Sequence, residues 1–567
     1  MNDELLKLVS MSNAATHLKM KSGNFVVDDT IGISLLFSAF YKEKPGKYLL
    51  LVSNLYTAQK VSDFIASLIG EENVFLFPVD DMLRNETLTS SKELLAQRLY
   101  VLTKALDNKP KIIVAHASSI TTPLATVNDF KSSSFVFEID KEYSLKEVKE
   151  KLVKAGYEQV NKIDQTLQFA SRGDVLDIYP VSHDNPIRIE FFGDQIESIH
   201  YFNIATQLSN ESLDKVSFEP ANDILFTDLE IEEFRKNLDA QIAKDKENLS
   251  PDLGKYLEQN VNLDFERIQN RVYHPHLYKF TRYVKHFTNS ICDYFKADLT
   301  FVSNKNQFDT TIEFLVKEAK SYFSQLNEDG KLITHLELYN DVKDVLKFEK
   351  HLIFSSNFRE NPEQIEFKTN PIIFSKANSS NLSIILNQYL STAQKIVLAL
   401  SNKQQYDTVI EFLKSEKISY DTLKGLEIPN KKIGVTIFSL EEGFELPDEK
   451  IVFVSSKELF GFQNRSSRFL NRFKEATILR NYEELRPGDF VVHEYYGIGK
   501  FLDIETIEVD GIHRDFIHVQ YSGTSTLYIP LTQFRLLRKY SGREGAEPKL
   551  SSLNSDEWEK TKSKIKT

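Results

Sequence analysis

A chain of 567 residues is too long for one hydrophobic core and should divide into about three to five domains. Its 70 lysines and arginines against 82 aspartates and glutamates leave a net charge of −12, which excludes a polycationic nucleic-acid coat. The single cysteine, Cys292, excludes a disulfide framework; no long apolar run predicts a membrane span, and no basic-then-apolar leader opens the chain, so a cytoplasmic protein is expected.

In chain order, GNFVVDD (23–29) and KYLLLVSN (47–54) predict short apolar strands, with a helix over roughly 32–42 between them. TAQKVSDFIASLIG repeats apolar residues at helical spacing, NVFLFPVDD predicts a strand, SKELLAQRLYVLTKAL a long helix, and KIIVAHASSI (111–120) a last strand. Strands apolar on both faces, alternating with helices, predict a parallel sheet covered by helices.

From about residue 134 the pattern turns antiparallel. FVFEID, GDVLDIYP, PIRIEFF and QIESIHYFN are short strands, Gly193-Asp194 is a hairpin turn, and SLKEVKEKLVKAG is the one helical period among them. Residues 226–300 return to long helical periods, and about 380–460 (KIVLALSN, VIEFLKSEKI, KIGVTIFSL, KIVFVSSKE) form another α/β run. NRSSRFLNRFKEATILRNYEEL (464–485) has no strand pattern and reads as a linker. The strand-rich remainder from Arg486, punctuated by Gly497, Gly499, Gly511 and Gly523, predicts a small β-barrel.

Nucleotide hydrolysis would require Gly-x-x-x-x-Gly-Lys-Ser/Thr, whose backbone N–H groups cradle phosphates. None of the Gly-Lys pairs at Gly46, Gly254, Gly330 or Gly499 is followed by Ser or Thr, and none has Gly five residues earlier. After the first strand, where such a loop belongs, stand Asp28-Asp29-Thr30-Ile31-Gly32, whose carboxylates would repel a triphosphate. No ATPase activity, catalytic residue, cofactor or metal site is therefore expected in this chain. His274 and His276 flank Pro275 and suit packing better than metal binding; Cys292 in SICDYF reads as a small buried hydrophobe. Gly497-Ile-Gly-Lys500 lies between strands and reads as a turn, and Glu441-Glu442 and Asp80-Asp81 as solvated faces or turns.

In Pro186–Phe192 the period of two puts Ile187, Ile189 and Phe191 on a core face, with Arg188, Glu190 and Phe192 on the other. Arginine and an exposed aromatic are residue types enriched at interface hot spots, and Arg172 before the neighbouring strand shares that side. The pattern alone favours a plain cross-strand pair of Arg188 with Glu190 or Asp177. In FLDIETIEV (501–509), Ile507 shares a strand face with Asp503 and Glu505, which predicts partial exposure; a turn-proximal Ile beneath the barrel is the equal alternative.

RGDVLDIYP, PIRIEFFGDQIESIHYFN and ATQLS closely resemble the UvrA-binding module shared by UvrB and the transcription-repair coupling factor (Mfd) family. The stretch from RPGDFVVHEYYGIGKFLDIETIEV to GAEPKL resembles that family's RNA-polymerase-interaction domain, a Tudor-like barrel related to CarD-type factors. IFSLEEGFELPDEKIVFVSSKELFG (437–461) resembles its third domain. The resemblance implies an α/β multidomain chain: a UvrB-like α/β domain without its nucleotide loop (1–133 and 219–350), interrupted by an α+β UvrA-binding module (134–218), then a further α/β domain (351–463), the linker, and a Tudor/CarD-like barrel (486–550). It implies UvrA contacts at Arg172, Arg188 and Phe192, and contacts to the RNA polymerase β subunit at Thr506, Ile507 and Glu508.

Family members continue into a RecG-like translocase and a regulatory domain, whereas this chain stops at SSLNSDEWEKTKSKIKT, where the helix leading to that motor (551–567) would begin. ATP, Mg²⁺ and most DNA contact are expected only of that motor, and this portion is expected to be a monomeric adaptor between stalled RNA polymerase and UvrA, without membrane contact. A UvrB-like excision helicase subunit is the enzymatic alternative; the missing phosphate loop and the absence of a tyrosine-rich hairpin in FLFPVDDMLRN argue against it. A CarD-like transcription regulator is the third reading, and it would leave most of the chain unexplained.

Overall fold

The computed structural model describes residues 4–27, 29–79, 92–204, 206–270, 277–281, 283, 289–372, 381–392, 394–460, 488–493, 497–509, 512–523, 525–530, 537–539 and 550–551. The linker at 464–485, residues 552–567, Asp28, Asp80, Asp81, His274, His276 and Gly511 lie outside the described residues. Two compact units are present, Met1–Gly461 and Phe462–Thr567.

The first unit is built on a seven-stranded sheet in the spatial order Ile365–Glu366, Phe25–Val26, Leu352–Ser356, Leu299–Val302, Lys47–Val52, Lys111–His116, Val74–Phe77. All its pairings are parallel. The strands at 25–26, 74–77, 111–116 and 299–302 are buried throughout because helices cover them, among them α1 (Thr30–Glu43) and α2 (Lys92–Leu106). Strands at 352–356 and 365–366 belong to this sheet, so it extends past the boundary expected at 350. Parallel pairing joins strands far apart in sequence, and local pattern carries no sign of which sheet a late strand enters.

A second, mixed sheet has the order Asn370–Pro371, Phe444–Leu446, Ile451–Ser455, Lys395–Leu400, Ile433–Ile437, Asp421–Thr422. It shares an apolar core with the first: Val397, Phe444 and Phe453 cluster with Leu36, Val61 and Phe64, and the Phe64 and Phe444 rings meet edge-on at 6.0 Å. The Leu5 N–H also donates to the Leu426 carbonyl at 3.1 Å. One core therefore serves two regions that the sequence separates.

Between the strands at 111–116 and 299–302 the chain leaves to form the α+β module. A two-stranded ribbon, Phe135–Glu138 against Lys215–Phe218, frames its entry and exit. Its Phe135 and Phe218 rings stack at 5.0 Å. Within the module a six-stranded sheet contains β1 (Gln168–Arg172), β2 (Val175–Ile178), β3 (Ile187–Phe192), β4 (Gln195–Phe202) and β5 (Ser209–Ser212), antiparallel in sequence order, with Glu158–Gln159 beyond β1. Gly193, with φ +65°, supplies the left-handed residue that the expected β3–β4 turn requires.

The chain returning from the module is pinned to the host domain by buried charge. The Arg98 guanidinium on α2 donates to Asp223 at 2.5 Å and to the Tyr278 hydroxyl, which itself donates to Asp223 at 2.6 Å. All three side chains are buried.

In the second unit a five-stranded antiparallel sheet contains Phe490–His493, β6 (Gly497–Val509), β7 (Ile512–Gln520), β8 (Thr526–Pro530) and Leu537–Lys539. Val491, Phe501, Ile517, Val519, Tyr521, Ile529 and Leu537 form its core. Gly497-Ile-Gly-Lys500 is strand rather than turn, and a Cβ on Gly499 would lie 2.5 Å from Val519 Cγ1, so the pairing needs glycine there. Among the described residues no ladder joins the two outer strands, β8 and Leu537–Lys539, so closure into a barrel is not shown.

Arg98→Ala would strand the Asp223 carboxylate in a buried site and should cost about 3–5 kcal/mol of stability. Urea denaturation checks this; a loss under 1 kcal/mol, on the same order as an exposed pair, would contradict the clamp.

Candidate partner-binding surfaces

The position where a nucleotide loop would stand is filled by the chain itself. Asp29 caps α1: its carboxylate accepts the Gly32 N–H at 2.6 Å and the Thr369 hydroxyl at 2.6 Å. A helix N-terminus attracts anions, and here an internal carboxylate takes that role. A Cβ on Gly32 would lie within 3.1 Å of Val27, Thr369 and Asp29, so these groups close tightly over the helix start. Cys292 is buried, as expected, and burial pushes its thiol well above the ordinary range, away from nucleophilic use. Glu442 pairs with Lys457 at 3.2 Å.

On the module, β1–β4 bring Arg172, Arg188 and Phe192 to one face. Directly opposed residues share a face, and two rows run across the sheet: Ala170, Asp177, Arg188, His200 and, next to it, Arg172, Val175, Glu190, Ser198. Phe192 follows on β3 in the next row, opposite Gln195. The reverse face is core: Leu176, Ile178, Ile187, Ile189, Phe191, Ile196 and Ile199 are buried.

The three residues are not equally available. Phe192 is 79% exposed, among the most exposed large apolar side chains described. Arg172 is exposed and rests on the Asn161 carbonyl, to which its Nε and Nη2 donate at 3.1 and 2.8 Å. Arg188 is engaged internally: its fork donates to both Asp177 oxygens at 2.8 and 2.9 Å. Its guanidinium lies 4.4 Å over the Phe202 ring, and it reaches the Gln207 carbonyl and side-chain oxygens at 3.4 Å. The Asp177 hydrogen bond is the main reason its pKa rises above the ordinary guanidinium value. The cross-strand pair that the pattern favoured is therefore present, with Asp177 and not Glu190, whose carboxylate accepts the Ser198 hydroxyl at 2.7 Å.

Phe202 and Gln207 were missed as parts of this face. For Gln207 the only sequence signal was ATQLS itself, since a loop residue's reach to a strand two elements earlier leaves no periodic trace, whereas Phe202 stands on β4 at the period-two spacing from His200.

In the second unit, Thr506, Ile507 and Glu508 lie on β6, where their backbones pair with Asp515, Arg514 and His513 on β7. The neighbouring strand Phe490–His493 pairs only with residues 497–500 of β6. Among the described residues, the half of β6 that holds 506–508 thus has a partner strand on one side only. Unpaired strand edges are templates for another chain.

Residues 135–224 match the UvrB interaction domain family, and residues 485–541 the CarD-like/TRCF RID domain family. The chain is similar to the transcription-repair-coupling factor of Bacillus subtilis (strain 168), 30% identical over 94% of this chain and 46% of that protein. It is 27% identical to those of Staphylococcus haemolyticus (strain JCSC1435) and Staphylococcus aureus (strain bovine RF122 / ET3-1), each over 93% of this chain and 46% of the relative. The chain thus spans about half the length of these curated relatives.

Arg188→Ala should lower stability by about 1–3 kcal/mol because it leaves Asp177 half-buried and unpaired. Phe192→Ser should stay within about 0.5 kcal/mol of the parent, the usual range for an exposed site. Thermal unfolding distinguishes them, and equal losses would contradict the division of roles.

Proposed function

From the chain's relation to the N-terminal part of transcription-repair-coupling factors, we propose that it is the adaptor half of such a factor in transcription-coupled nucleotide excision repair. Its module recruits UvrA, and its C-terminal sheet holds the β subunit of an RNA polymerase stalled at a lesion. The observation that carries the UvrA contact is the exposed Phe192 ring, standing beyond the row that holds the exposed Arg172, on the face opposite the Ile187, Ile189 and Phe191 core. A partner that covers this ring gains about 2–3 kcal/mol from apolar burial, and the Arg172 fork adds a charge-assisted contact to an acidic or carbonyl group.

Arg188 acts mainly from beneath, holding β2, β3 and the Gln207 loop in register. The polymerase contact at Thr506, Ile507 and Glu508 works by strand addition along the one-sided half of β6. The second unit closes as a small CarD-like barrel, and the chain acts as a cytoplasmic monomer. ATP, Mg²⁺ and DNA tracking belong to the motor half of family members. Asp29 in place of a phosphate argues against the excision-helicase reading.

Arg172→Ala combined with Phe192→Ala should weaken UvrA binding at least about thirtyfold by calorimetric titration, with the melting temperature unchanged. Unchanged affinity would refute the assignment. Ile507→Arg should abolish binding to the polymerase β subunit and leave UvrA binding intact; loss of both would point to misfolding.

A further inference from the structure

Three side chains with metal-ligand chemistry converge on the face formed by β6 and β7. Asp503 and His518 are directly opposed in the ladder, and Glu505 follows Asp503 on the same side of β6. His518 Nδ1 lies 3.1 Å from Asp503 Oδ1 and 3.3 Å from Glu505 Oε1. One ligand atom from each residue falls within 4.8 Å of the others. Ligands about 2.0–2.1 Å from a tetrahedral zinc stand about 3.3 Å apart, so two of the three separations already match a coordination edge.

The geometry is poorly matched to a simple ion pair. Two carboxylate oxygens from different residues face the same ring nitrogen, which carries at most one proton. A cation in place of that proton would satisfy both carboxylates and the imidazole lone pair together.

The surroundings orient the set. The His518 ring stacks on Tyr528 of β8, with centroids 4.4 Å apart and planes 10° from parallel. The Tyr528 hydroxyl donates to Glu505 Oε2 at 3.2 Å, leaving Oε1 directed to the cluster. Tyr528 therefore holds both the imidazole and one carboxylate, as outer-shell groups do around bound metals. With three protein ligands, Asp503 and Glu505 partly exposed, a fourth position stays open to water or to a partner's side chain.

We propose that Asp503, Glu505 and His518 form a binding site for a divalent transition cation of the zinc class. It lies on the same strand as, and immediately before, residues 506–508. The cation would cancel two negative charges beside that strand.

The test is titration of the untagged full chain with zinc chloride by isothermal calorimetry, with cobalt(II) absorption as a second readout. One equivalent should bind with micromolar affinity, and cobalt should give visible bands of a tetrahedral or five-coordinate site. His518→Ala should weaken binding at least about a hundredfold, and Tyr528→Phe about tenfold, as outer-shell changes typically do. Asp503→Asn keeps the shape of the side chain and should also lose at least about tenfold, separating ligation from misfolding. Binding weaker than millimolar would overturn the proposal. So would binding equal in the parent and in Asp503→Asn and His518→Ala, which would place the metal elsewhere.

Discussion

The alternation of side chains along Ile187–Phe192 is the constraint on which the surface proposed to face UvrA depends. Ile187, Ile189 and Phe191 are driven into the module core, and a strand has no freedom to bury their neighbours as well. Arg188, Glu190 and Phe192 must therefore stand on the opposite face, where polar groups left without partners would carry a cost. The first two reduce that cost internally, Arg188 through Asp177 and Glu190 through Ser198. Phe192 has no such outlet at the end of the strand. The same rule that builds the core leaves one aromatic ring displayed beside Arg172.

The host domain behaves as a scaffold for that display. A parallel sheet with a helix N-terminus at the end of its first strand is a natural nucleotide site, yet Asp29 and Thr369 occupy it. The second sheet shares the apolar core of the first, which turns two α/β regions into one body. Where the module rejoins this body, Arg98, Asp223 and Tyr278 fasten the returning chain. Asp223 lies five residues beyond the end of the Lys215–Phe218 strand, so the module leaves from a fixed point.

Most of the elements were legible from periodicity. The strands at 47–52, 111–116, 187–192 and 195–202 fall where apolar runs and the Gly193 turn placed them. What was illegible is what depends on long-range pairing. The entry of strands 352–356 and 365–366 into the first sheet is decided by parallel pairing with Phe25–Val26 at the far end of the chain and, for 352–356, with Leu299–Val302, and it has no local signature. The choice of Asp177 over Glu190 by Arg188 is a matter of cross-strand register, and the pattern admitted both. The pattern placed Asp503 and Glu505 on one strand face but not His518 opposite them, because a register shift between Phe501 and Asp503 decides which β7 residue each β6 side chain meets. The functional residues came from resemblance, since exposure of Phe192 is a structural quantity that composition does not carry.

The central claim is that one chain presents two partner surfaces on two units and joins their partners by connectivity alone. The most direct measurement is retention of UvrA on immobilised RNA polymerase β subunit, with this chain added whole or as its two units, 1–461 and 462–567, together. The account predicts retention with the whole chain only, while each unit still binds its own partner. Retention without the chain, or with the two units unlinked, would contradict it.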